Sequence, residues 1–100
     1  MPHIRAIIQD EKGNPVGGAV DFSEGLFPYH DDERFPYLRF VDPYGDTVFN
    51  RLQMPAVLEE MHLLRKARTE EEDRIVIDKL IELACLCQQE PHLYLKFIGD

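Results

Sequence analysis

Two short groupings in the sequence carry residue types that can do chemistry: the unbroken run His30, Asp31, Asp32, Glu33, and the pair Glu59 and His62, spaced Glu-x-x-His. Both bring imidazole and carboxylate together as metal sites do. Neither is complete. Adjacent residues fan out along a backbone and rarely surround one ion. The Glu-x-x-His spacing builds a di-iron centre only when it occurs twice and neighbouring helices add further carboxylates, and no second copy exists here. Cys85 and Cys87 are the only cysteines. On a helix their spacing points them about 200° apart, so they neither pair nor converge on a metal, and their apolar surroundings disfavour a reactive thiolate. The four histidines, at 3, 30, 62 and 92, are scattered, and the chain has no Gly-x-Gly-x-x-Gly, phosphate loop or serine elbow. The expectation is a protein that is not an enzyme and has no catalytic residue, resident metal or cofactor.

The same acidic run suits recognition better. It lies in residues 23–36, where two prolines, a glycine and clustered acids argue against regular helix and for a long loop. Leu26, Phe27, Tyr29 and Phe35 interleave with the carboxylates. Aromatics supply buried contact area and acids steer a basic partner, so Glu24, Phe27, Tyr29, His30, Asp31, Asp32 and Glu33 are candidate contact residues. Tyr44, at the tip of the following turn, is added to them. The plainer reading also stands, in which aromatics pin the loop to the core while acids face water.

The elements that must position this loop follow from periodicity. His3 to Gln9 carries the apolar spacing of a strand. Turn chemistry over Lys12-Gly13-Asn14-Pro15 leads to a short partner strand at Ala19 to Phe22, with Gly17-Gly18 marking a bulge. Tyr37 to Val41 alternates as a strand. Asp42-Pro43-Tyr44-Gly45 fits a type I turn closed by a left-handed Gly45, and Thr47 to Phe49 returns as the paired strand. Pro55 opens a helix whose stripe is Leu58, Met61 and Leu64, flanked by Val57 and Ala67. Thr69 to Glu72 forms a capping box for a second helix, striped by Val76, Leu80, Leu83, Ala84 and Cys87 and ended by Pro91. His92 to Ile98 alternates as a last strand. The expected architecture is one α+β domain over residues 1–100: a mostly antiparallel sheet of four to five strands with two helices on one face, in the order β-β-loop-β-β-α-α-β.

Charge sets the partner class. Eleven basic against 19 acidic residues give a net charge of −8, and nucleic-acid binders need clustered Lys and Arg to displace counterions. Nucleic acid is therefore not expected, and a basic protein is. No apolar run reaches bilayer-spanning length, and the first residues lack a secretory profile, so neither membrane association nor export is expected and the setting is cytoplasmic.

Two resemblances add to this. Asp10 to Val20 is similar to the first hairpin of the transthyretin-like modules appended to carboxypeptidases, a likeness of turn chemistry over about a tenth of the chain. Residues 37–64, above all Phe40-Val41-Asp42-Pro43-Tyr44-Gly45-Asp46-Thr47-Val48-Phe49-Asn50 and the helix after them, resemble a segment of small bacterial proteins that include suspected immunity proteins of toxin systems. That resemblance implies a stand-alone acidic binder that blocks a cognate basic toxin domain. The alternative is a structural or regulatory subunit that forms a homodimer through a sheet edge.

Overall fold

Alternation of apolar and polar side chains builds β1, His3–Gln9, in which Ile4, Ala6 and Ile8 are buried and the residues between them are not. A computed structural model describes residues 2–100 of the chain. Its remaining elements are β2 (Pro15–Ser23), β3 (Asp46–Asn50), α1 (Met54–Ala67), α2 (Glu71–Gln89) and β4 (Tyr94–Ile98). The four strands pair antiparallel in the order β2-β1-β4-β3. This is the α+β architecture expected from the sequence, with a four-strand sheet and a helical pair on one face.

Register follows the apolar pattern. Leu95 lies opposite Ile8 on one side and Phe49 on the other, while Phe97 lies opposite Ala6 and Thr47. A slip of one residue would turn Leu95 and Phe97 to water and drive Lys96 into the core. Phe97 is the hub of that core. Its ring sits 6.2 Å from Phe22, 5.4 Å from Phe27 and 6.0 Å from Phe49, all near edge-to-face, each pair contributing about 0.5–1.5 kcal/mol beyond burial. Val57, Met61 and Leu64 of α1, with Ile77, Leu80, Ala84 and Cys87 of α2, close the inner face. Arg65 and Asp78 pair across the two helices at 2.7 Å. The outer face is polar, with the Arg5–Asp21 pair at 2.7 Å and Lys96 at 3.5 Å from Asp46. The expected bulge is present: Gly17, Gly18 and Ala19 lie opposite Ile7 alone, and Gly17 adopts φ of 77°, which its missing Cβ permits.

Three local expectations are corrected. Tyr37 to Val41 is not a strand; Leu38–Phe40 forms a 3-10 turn. The amides of Phe40 and Val41 bond back to Tyr37 and Leu38, and those of Tyr37 and Leu38 go to the Glu60 carboxylate, so no donor in this stretch is left for a ladder. Consequently Asp42 to Gly45 turns the chain without closing a hairpin, positive φ among glycines falls at Gly13 and Gly17 and not at Gly45, and β3 pairs with β4. Thr69 does not cap α2. Glu70 is the extended N-cap residue, without a side-chain bond, while Glu71, Glu72 and Asp73 complement the positive end of the helix dipole. A capping box does form before α1, where Asn50 and Gln53 exchange side-chain bonds with each other's amides across the 3-10 turn Arg51–Gln53. Finally, β4 begins at Tyr94, because His92 sits at φ of 65° in the turn after α2, outside the sheet.

Candidate functional site

The loop after β2 is held at both ends by hydrogen bonds and in its middle by side chains. Ser23 caps a 3-10 turn over Glu24–Leu26, accepting from the Gly25 amide. Arg68, just past α1, donates to the Leu26 carbonyl at 2.6 Å. Leu26, Phe27 and Phe35 are buried, and the Phe27 ring lies 4.6 Å from Phe22. Farther along, the Asp32 carboxylate accepts from the Arg34 amide at 3.1 Å and from its guanidinium at 2.8 Å, and Arg34 holds that carboxyl below its ordinary value. The loop's second end rests on Glu60. This carboxylate, 5 % exposed, receives the Leu38 amide at 2.9 Å and the Tyr37 amide at 3.1 Å. Burial pushes the Glu60 carboxyl up, and the two amides pull it partly back.

Between residues 24–30 and 39–43 lies a cleft of about 420 Å³, floored by Ile4. Phe27, Pro28, Val41 and Pro43 give it apolar walls, while Glu24, Tyr29, His30 and Arg39 supply its polar groups. Volume and lining match small-ligand or side-chain-accepting sites. Tyr29, Phe40 and Tyr44 stand out at 83 %, 61 % and 70 % exposure. Tyr29 lines the cleft, Phe40 follows Arg39, and Tyr44 follows Pro43. Arg39 is unusual. Its guanidinium stacks 4.6 Å over the Phe40 ring, its Nε is sealed from solvent without an acceptor, and no carboxylate among the described residues pairs with it. Arg5, Arg34 and Arg65 have such partners, and Arg68 and Arg74 donate to backbone carbonyls.

The residues expected from sequence are thus brought together in part. Glu24, Phe27, Tyr29 and His30 line one cleft; Asp31 and Glu33 are exposed on the same loop; Asp32 is engaged by Arg34; Tyr44 does not line the cleft but follows Pro43, which does. Phe27 belongs mainly to the core, and only one side of it meets the cleft. Sequence reasoning missed Arg39, Phe40 and Glu60. Glu60 left a signal, since it falls on the buried face with Val57, Met61 and Leu64, at a helical spacing where a lone carboxylate needs partners. Arg39 left none, because its role depends on a 3-10 turn that alternation disguises. Cys87 is buried, its thiol pushed up by burial and donating toward the Leu93 carbonyl at 3.5 Å. Among the described residues there is no cluster of three or more metal-ligating side chains and no helix long and apolar enough to cross a membrane. Comparison with family models, curated proteins and solved structures finds no match.

Proposed function

We propose that this chain is a small acidic protein-binding module whose contact surface is the aromatic rim of the cleft together with the acids of the 24–36 loop. The observation that carries this reading is the exposure of Tyr29, on a loop whose Phe27 and Phe35 are buried, and of Phe40 and Tyr44, on the segment that supplies Arg39, Val41 and Pro43 to the cleft. Exposed aromatics of this kind are interface anchors, and a net charge of −8 steers a basic partner toward them. The resemblance to immunity proteins narrows the partner to a basic toxin domain, bound by surface complementarity and without turnover, in the cytoplasm. Self-association through a sheet edge is less favoured: β2 carries a bulge, and β3 is five residues long with Asp46 at its start, both devices that blunt edges.

The test is capture from lysate of the native host. The wild-type chain should retain a basic protein at low salt and release it at about 0.5 M salt, where exposed charges are screened within a few ångströms. A Tyr29→Ala/Tyr44→Ala variant with an unchanged melting temperature should fail to retain it. Equal capture by the variant, or capture of nothing basic, would overturn the reading.

A further inference from the structure

We infer that the cleft is a binding site for a monocarboxylate with an apolar body, its carboxylate on Arg39 and its body on the walls formed by Phe27 and Val41. Arg39 lines the cleft and, among the described residues, makes no direct ion pair with a carboxylate, although Asp32 lies near enough to feel its charge and Glu24 lines the same cleft. That combination is informative. Arg5, Arg34 and Arg65 pair with carboxylates and Arg68 and Arg74 donate to backbone carbonyls, while the planar group of Arg39 is held against Phe40. A guanidinium fixed by stacking is pre-organised for the two-pronged hydrogen bonding that a carboxylate offers, and little side-chain freedom remains to be lost on binding. The Nε is sealed from solvent without an acceptor, so a carboxylate in the cleft would be met by the two terminal guanidinium nitrogens.

The rest of the lining selects within anions. Glu24 shares the cleft, so a dianion such as phosphate or a dicarboxylate meets about twice the repulsion that a single charge does. Ile4, Phe27, Pro28 and Val41 provide an apolar surface that a small inorganic ion cannot use. Apolar monocarboxylates come from two sources, the carboxyl terminus of a peptide and a small organic acid. The site shares Glu24, Tyr29 and His30 with the proposed partner surface, but it does not rest on the protein-partner reading and its test uses no partner.

The test is titration of the isotopically labelled full chain, followed by amide chemical shifts, with four probes: N-acetylphenylalanine, its amide, 3-phenylpropionate and inorganic phosphate. Saturable shifts should appear at residues 24–30 and 39–43 with at least one carboxylate and not with the amide or phosphate. Tighter binding of N-acetylphenylalanine points to a peptide terminus, and tighter binding of 3-phenylpropionate to a free acid. Arg39→Gln should weaken binding about ten-fold or more, the value of a charged hydrogen bond, with its spectrum otherwise that of a folded protein. Arg39→Lys should restore only part, because a point charge lacks the fork. No saturable shift with either carboxylate, equal binding of the amide or phosphate, or unchanged affinity in a folded Arg39→Gln chain would overturn the proposal.

Discussion

The Glu60 carboxylate on α1 accepts the Leu38 amide at 2.9 Å across 22 residues of sequence, and so fixes the 3-10 turn that brings Arg39 into the lining of the cleft. Two backbone donors depend on this one side chain. Glu60→Ala leaves the buried Leu38 amide and the part-buried Tyr37 amide unpaired, at about 1–3 kcal/mol each, so a loss of roughly 2–6 kcal/mol is expected in urea unfolding. Glu60→Gln is expected to cost less than half as much, since one oxygen, Oε1, already receives both amides. Equal losses for the two variants would mean that charge, and not acceptor geometry, holds the turn.

The pH dependence of stability has two opposed limbs. Burial raises the folded-state Glu60 value above its ordinary 4.5, so its contribution is fully present below that value and declines as pH rises through the folded value. The advantage of wild type over Glu60→Gln should therefore shrink as pH climbs from about 4.5 toward neutrality. Asp21, Asp32 and Asp78 behave oppositely. Arg5, Arg34 and Arg65 lower them from an ordinary 3.8, so their contribution is present above that value and is lost as pH falls through the folded ones. All three pairs are solvent-exposed and each contributes little. Urea midpoints from pH 3 to 8 for wild type and Glu60→Gln test both limbs; a gap that widens with pH would refute the Glu60 assignment.

These same residues show why the sequence disclosed the fold more fully than the site. Period-2 spacing in β1 and β4 and the helical stripes on α1 and α2 report burial directly, and burial decided both layers. Leu38 and Phe40 also alternate with their neighbours, but Leu38 is buried and Phe40 exposed, so they do not share a face. What separated strand from turn was a carboxylate arriving from α1, a long-range contact that local spacing does not encode. Tyr29, His30 and Glu24 were legible as site residues because they sit on an irregular acidic loop. Arg39 was not, since its significance is a place in the cleft wall with its guanidinium stacked on Phe40, which only three dimensions reveal.

The last residues of the chain lock the turn that forms the far wall of the cleft. Gly99 donates to the Gly45 carbonyl and Asp100 to the Pro43 carbonyl, each at 2.8 Å. A Cβ on Gly99 would stand 2.5 Å from the Pro43 carbonyl carbon and 2.7 Å from the Asp42 oxygen, both backbone atoms that cannot move aside cheaply. Gly99→Ala should therefore cost about 1–3 kcal/mol, as overpacking does. Gly18→Ala is the control: nothing lies within 4 Å and its φ is not positive, so it should be neutral or slightly stabilising. Thermal melts that rank the two variants the other way would contradict the close approach.

Phe27 and Tyr29 lie two residues apart on one loop and should separate stability from binding. Phe27 is packed against Phe22 and Phe97, so Phe27→Ala opens a core cavity and is expected to cost about 3–5 kcal/mol. Tyr29 is 83 % exposed, and Tyr29→Ala should leave stability within about 0.5 kcal/mol. Retention of a basic partner should then fall with Tyr29→Ala at unchanged melting temperature, whereas Phe27→Ala lowers the melting temperature first and binding only as the fold is lost. If Tyr29→Ala destabilised the chain by as much as Phe27→Ala, Tyr29 would be a packing residue and the aromatic rim would lose its role as a contact surface.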